Sequence, residues 1–230
     1  MNPACRGCDR RRQSDWDAMS ELYNKHAGQP AFVLGNARSL SDAPLRELEH
    51  EVVIACNWVF EYAPWLNPTY YATTEMYSGM NKARAGTYST AFFCRDLLMD
   101  PSLDDSAFDW IRVHAQSSVD TRLILAGLLP DRQTQHFIWG LGGTIPNFSV
   151  QLAYWLGCSP IVLLGVDADD RGHVYDPDES GDRLRTDMQG WLITEIAALQ
   201  GSLHEKGVTL LNGSPGGNLT IPRIEIGTML

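Results

Sequence analysis

At 230 residues, 44% hydrophobic and 20% charged, the chain has the length of one α/β domain with a small appendage. It is long enough to bury a core without disulfide or metal support. Lys+Arg 18 against Asp+Glu 28 gives a formal charge of −10, which argues against a nucleic-acid coat or an anionic membrane surface as the main partner, but not against a small anion held by backbone amides.

No apolar run approaches the ~18 residues of a membrane span, and the first residues lack a signal-peptide core, so the expectation is a soluble cytoplasmic protein. Five cysteines are scattered along the chain. Cys56, Cys94 and Cys158 lie in apolar runs and read as small buried hydrophobes. Cys5 and Cys8 have the spacing of half a zinc site, but no second pair follows, so a reduced tail is preferred.

Residues 1–13, with Arg6, Arg10, Arg11 and Arg12, read as a flexible N-terminal arm, and 14–230 as a single Rossmann-like domain. Ser14 opens a helix whose face is Trp16, Met19, Leu22/Tyr23 and His26, ending at Gly28 and Pro30. Four short apolar strands follow: 31–34, 52–56, 70–73 and 91–94, with short helical stretches such as 44–50 between them. Residues 95–135 read as an irregular insertion or lid, with a strand near Trp110–His114. A helix over Pro146–Leu156, a strand over Pro160–Gly165, a helix over about Asp187–Lys206 and a last strand over Val208–Asn212 complete the chain. This alternation predicts a doubly wound, mainly parallel sheet, a Rossmann-like α/β fold.

In such sheets ligands bind beyond the carboxyl ends of the strands, so the strand ends are where chemistry is sought. Gly35-Asn36-Ala37-Arg38-Ser39 follows the first strand and lets backbone approach a ligand, yet it is neither a Walker loop nor Gly-x-Gly-x-x-Gly. Asn57 ends the second strand and can both donate and accept; Thr73-Thr74-Glu75 ends the third. Gly140-x-Gly142-Gly143-Thr144 opens a helix, a place where anions bind and where Thr144 is equally a good N-cap. Asp167 ends the most apolar strand, and with Asp169 and Asp170 it suits a cation. His173, in the same loop, is the best acid/base candidate. Gly-x-Ser-x-Gly and His-Glu-x-x-His are both missing, which lowers hydrolase and metalloprotease readings.

Taken together, "AFVLGNARSL", "VVIACNWVFEY" and "GGTIPNFSVQLAYWLGCSPIVLLGVD" resemble the bacterial lipooligosaccharide sialyltransferases, and also the 6-hydroxymethylpterin diphosphokinase-like domains of Rossmann-like fold. The ending "NGSPGGNLTIPR" resembles the close of related proteins from surface-glycan loci. The match spans about residues 31–75 and 140–222. The resemblance implies a glycosyltransferase-A-like variant of this fold in which Asn36, Asn57, Thr73-Thr74 and Thr144 contact the nucleotide sugar, and the strand-end reading adds Gly35, Ser39, Gly143 and Asp167 to the nucleotide site. It implies a tyrosine pair at the leaving phosphate, with Asp169 standing at the first position and Tyr175 at the second, and a histidine base, for which His173 is available. An acidic Asp169 beside a phosphate calls for a cation, so Mg²⁺ on Asp167 and Asp169 is expected.

The implied activity is transfer of a sugar from a nucleotide-activated donor to an acceptor hydroxyl. The alternatives are an ATP-dependent pyrophosphokinase acting on a pterin-like alcohol, or a non-catalytic nucleotide- or glycan-binding module. The expected partners are the small-molecule donor and acceptor, with self-association left open.

Overall fold

The period-two burial of four short strands builds this fold. In β1 (Ala31–Leu34), β2 (Val52–Cys56), β3 (Tyr70–Thr73) and a later strand, Ile161–Leu164, every residue is buried. Successive side chains go to opposite faces. Ala31, Val33, Ile54, Ala72, Ile161 and Leu163 enter one core, whereas Phe32, Leu34, Val53, Ala55, Tyr71 and Leu164 enter the other. A strand buried on both faces must be apolar throughout, which is why these runs carry no polar alternation.

The computed structural model describes residues 17–73, 91–95, 110–113, 144–175 and 186–230. β4 (Ala91–Arg95), β5 (Trp110–Val113), β6 (Ile161–Leu164) and β7 (Leu210–Asn212) complete a seven-stranded sheet in the order β5-β4-β3-β2-β1-β6-β7. All six pairings are parallel. The chain winds outward from β1 to β5, then returns to place β6 on the other side of β1. The β1–β6 boundary is therefore the topological switch point. β5 is the strand expected near Trp110, inside the segment read as an insertion. The remainder of 95–135 and the arm 1–13 lie outside the described residues, as do Cys5 and Cys8.

One face is covered by helices. α1 (17–22), α3 (Ile145–Trp155) and α4 (Thr186–Glu205) pack there, α3 lying against β1, β2, β3 and β6. The other face is covered by two 3-10 turns, Arg38–Asp42 and Leu45–Leu48, the short α2 (Val59–Tyr62) and Ile226 near the C-terminus. The helical stretch expected at 44–50 is thus a single 3-10 turn. Among the described residues no helix is long and apolar enough to cross a membrane. Cys56 and Cys158 are buried free thiols, each pushed up to about 12 by burial, so both behave as the small hydrophobes expected.

The first helix differs from its expected length. It stops at residue 22, and 23–28 are turns. Asn24 adopts a left-handed φ of 57°, and the amides that would continue the helix turn to the C-terminal end of α3 instead. Asn24 N–H donates to the Trp155 carbonyl at 3.0 Å, His26 N–H to Leu156 at 2.8 Å and Gly28 N–H to Gly157 at 2.9 Å. The orphan carbonyls of α3 are capped by these exchanges. Trp155 Nε1 returns a bond to the Met19 carbonyl at 2.6 Å.

His26 sits in this turn with Nε2 2.8 Å from the Tyr70 hydroxyl. Burial above all, with the Lys25 charge adding and the Gln29 hydrogen bond opposing, holds its pKa below the ordinary 6.5. The unfolded chain therefore takes up this proton at a higher pH than the folded one, and stability present above pH 6.5 is lost as pH falls below it. Replacement His26→Gln is expected to flatten that acid-side slope in urea unfolding, and an unchanged slope would remove His26 as its source.

Candidate functional site

The loops beyond β1 and β6 are zipped together over the switch point. Gly35 N–H donates to the Leu164 carbonyl at 2.8 Å, and Ala37 N–H to Gly165 at 2.8 Å. Val174 N–H donates back to the Asn36 carbonyl at 2.9 Å, and Ala37 bridges His173 antiparallel. This closeness requires Gly35: a Cβ there would lie 2.3 Å from the Gly165 carbonyl oxygen.

Asp167 is the buried pin of this junction, 1% exposed. Ser39 Oγ donates to its Oδ1, and Ser39 N–H to its Oδ2 at 3.1 Å. Arg171 Nη2 donates to the same Oδ2 at 2.9 Å, while Arg171 Nε reaches Asp169 Oδ2 at 2.7 Å. Arg171 is pushed above its ordinary pKa, first by the Asp169 hydrogen bond and then by the charges of Asp167, Asp169 and Asp42, with partial burial opposing.

Ser39 and Asp167, expected at the nucleotide, thus face each other inside the protein. The counter-charge between Asp167 and Asp169, expected to be Mg²⁺, is here the guanidinium of Arg171. Among the described residues no group of three His, Cys, Asp or Glu side chains is set to hold a metal ion.

The C-terminal turn closes on the same point. Asn218 N–H donates to the Asp167 carbonyl at 2.6 Å, and Asn218 Nδ2 to the Ala168 carbonyl at 3.0 Å, which holds Ala168 at a φ of 53°. Ala168 is neither Gly nor Asn, so this left-handed backbone costs about 1–2 kcal/mol and persists only because its neighbours fix it. Gly165 N–H donates to Ser214 Oγ at 3.0 Å, and Arg223 donates to the carbonyls of Ser214, Gly216 and Gly217.

Beyond β2, Asn57 is held at a φ of 44°. Its carbonyl accepts the Tyr71 hydroxyl at 2.7 Å and its Oδ1 accepts the Thr73 hydroxyl at 3.0 Å. Both bonds tie the acceptor side of Asn57 to β3 and turn Nδ2 away from Thr73. Trp58 next to it lies 6.4 Å from the Tyr175 ring, tilted by 50°. Tyr175 in turn stacks on His173, with centroids 5.1 Å apart and planes 5° from parallel. This aromatic row joins the β2 loop to the β6 loop, so Asn57, His173 and Tyr175 share the carboxyl edge. Asn36 stands at the same edge, with its Oδ1 buried and without a hydrogen-bond partner among the described residues.

Thr144 occupies the N-cap of α3 with extended backbone, as expected, yet its side chain makes no cap. Its hydroxyl donates to Glu195 Oε2 on α4 at 3.0 Å, and both residues are buried. The helix opening thus already has an internal carboxylate beside it, which complements the α3 dipole as a bound anion would. Thr74 and Gly143 lie outside the described residues. Arg171, Trp58 and Glu195 were not singled out in the sequence. Arg171 alone left a local signal, two residues after Asp169 and four after Asp167.

No protein-family model matches the chain, and no curated protein matches it in sequence. Among solved structures, the MAf glycosyltransferase of Magnetospirillum magneticum AMB-1 is similar at a TM-score of 0.55 and 16% identity, over 94% of this chain and 39% of that one. This chain therefore spans about two fifths of that protein's length. The sialyltransferase CstII of Campylobacter jejuni, solved with the substrate analogue cytidine-5'-monophosphate, is similar at a TM-score of 0.51 and 14% identity, over 86% of this chain and 85% of that one. These likenesses show a shared Rossmann-like α/β fold. Neither speaks for the diphosphokinase part of the resemblance.

Removing the charge of Asp167 should loosen both loops at once. Asp167→Asn places an amide among two donors from Ser39 and one from Arg171, so at least one donor pair is opposed. A wholly buried broken ion pair costs about 3–5 kcal/mol; with the Arg171 side chain 44% exposed, about 2 kcal/mol is expected in urea unfolding. A loss below about 0.5 kcal/mol, the range of ordinary surface changes, would show that Asp167 is not the pin.

Proposed function

We propose that the chain is a glycosyltransferase-like enzyme that takes a nucleotide-activated sugar at the carboxyl edge of its sheet and transfers the sugar to an acceptor hydroxyl. The observation that carries the reading is the switch-point edge itself. There Asn36 keeps a buried acceptor without a partner among the described residues, Asn57 is held in left-handed backbone, and a histidine stacks in an aromatic row. Non-glycine residues in left-handed backbone are enriched at ligand sites, where the surrounding structure holds the strain in place. The fold shared with two glycosyltransferases, one of them solved with cytidine-5'-monophosphate, supports a nucleotide-activated donor.

In this reading Asn36 and Asn57 hold the nucleotide by donor and acceptor contacts. His173 takes the proton of the acceptor hydroxyl as the oxygen attacks the anomeric carbon. The bond from that carbon to the donor phosphate breaks, and its electron pair leaves with the nucleotide. Tyr175 stacks beneath His173 and fixes the ring, so a proton acceptor meets the substrate in one orientation.

Two variants test the reading. Asn57→Gly keeps the left-handed backbone at little cost and removes only the side chain. It is expected to weaken binding of CMP or UDP about tenfold in calorimetry, an effect of about 1.4 kcal/mol. His173→Ala is expected to lower kcat by about 10²–10⁴ and leave nucleotide affinity nearly unchanged. Wild-type affinity in Asn57→Gly, or full kcat in His173→Ala, would contradict the role given to that residue.

A further inference from the structure

We propose that Arg171 is the residue that binds the phosphate of the nucleotide, doing with a guanidinium what a divalent cation does elsewhere. This rests on the reading that a nucleotide occupies the carboxyl edge, and it names the chemistry that receives its charge there.

Four observations converge. First, Arg171 lies four residues beyond Asp167, in the loop that β6 delivers to the switch point, where phosphates of bound nucleotides lie in open α/β sheets. Second, its guanidinium is held on one side only. Nε is spent on Asp169 and one Nη2 hydrogen on Asp167, so of the five N–H groups three make no bond among the described residues. Third, the side chain is 44% exposed, so the unspent edge opens to solvent rather than into the core. Fourth, Gly216 lies close against it: a Cβ there would be 2.6 Å from Nη2. A glycine at that point lets the guanidinium lie flat on the C-terminal turn.

The two carboxylates act as a mount. A free arginine loses much rotamer entropy when it grips an anion; one already fixed by two ion pairs loses little. Its planar fork matches the oxygens of a phosphate. The same carboxylates also set the limit, because Asp42, Asp167 and Asp169 all face the guanidinium and offset its charge. The ligand contact is therefore directional more than strong, as suits a leaving group that must depart with the electron pair of the broken bond.

The test separates phosphate from nucleoside. Calorimetric titrations use pyrophosphate, CMP, UDP and the unphosphorylated cytidine and uridine, with EDTA present. Wild type is expected to bind pyrophosphate and the nucleotides in EDTA. Arg171→Lys keeps a charge for Asp167 but loses the fork. It is expected to bind pyrophosphate and nucleotides at least tenfold more weakly, with cytidine and uridine unaffected. A purely structural role would weaken nucleoside and nucleotide alike.

Unchanged pyrophosphate affinity in Arg171→Lys would overturn the assignment. If the Asn57 side chain still contributes to nucleotide binding in that case, the functional reading survives without Arg171. If wild type binds no phosphate compound, both fall.

Discussion

A carboxylate taken out of water must be met by donors, and in this protein that requirement organises the functional edge. Asp167 is met by a hydroxyl and an amide from the β1 loop and by a guanidinium from its own loop. Those partners come from segments 128 residues apart in sequence, so satisfying one buried charge locks the two halves of the sheet at their boundary. Everything placed at that edge depends on the lock. The Ala37–His173 bridge sets His173, and the stack on Tyr175 and contact with Trp58 carry the alignment across to Asn57. The C-terminal turn adds its own amide to the Asp167 carbonyl, so the last segment of the chain is part of the same junction.

The proposed function asks an acidic chain to bind an anion. With a formal charge of −10 the molecule repels phosphate at long range. On that reading, recognition comes from groups held in place at short range: the amides of Asn36 and Asn57 and a guanidinium mounted on two carboxylates. At the opening of α3, by contrast, the Thr144–Glu195 pair supplies an internal anion, and the helix dipole is already complemented there. The carboxyl edge around β1, β2 and β6 is where charge and geometry leave room.

Much of this was legible in the residues. Strands β1, β2 and β3 were readable to within a residue, because four- and five-residue apolar runs bounded by Gly, Asn or Thr have few other solutions in a two-faced sheet. Gly35, Asn36, Asn57, His173 and Tyr175 were readable as strand-end residues, and the sheet brings them to one edge. What escaped were features set by tertiary exchange. The first helix ends early because Asn24, His26 and Gly28 find carbonyls at and just beyond the end of α3, 129 to 131 residues away. The Thr144 hydroxyl looks like a local cap and instead serves Glu195, 51 residues on. Asp167, Asp169 and Asp170 look like a cation site in a string of letters. Only the fold shows that Arg171, from the same loop, donates to two of them.

The central claim is that nucleotide binds at the carboxyl edge across the β1–β6 boundary. The most direct measurement is the change in backbone amide chemical shifts on titrating CMP or UDP into the isotope-labelled chain. The account predicts saturable shifts concentrated at residues 36–37, 57–58 and 171–175, with His26 and the amino-terminal edge of the sheet unmoved. Saturable shifts confined to the amino-terminal edge, or none with either nucleotide, would contradict it.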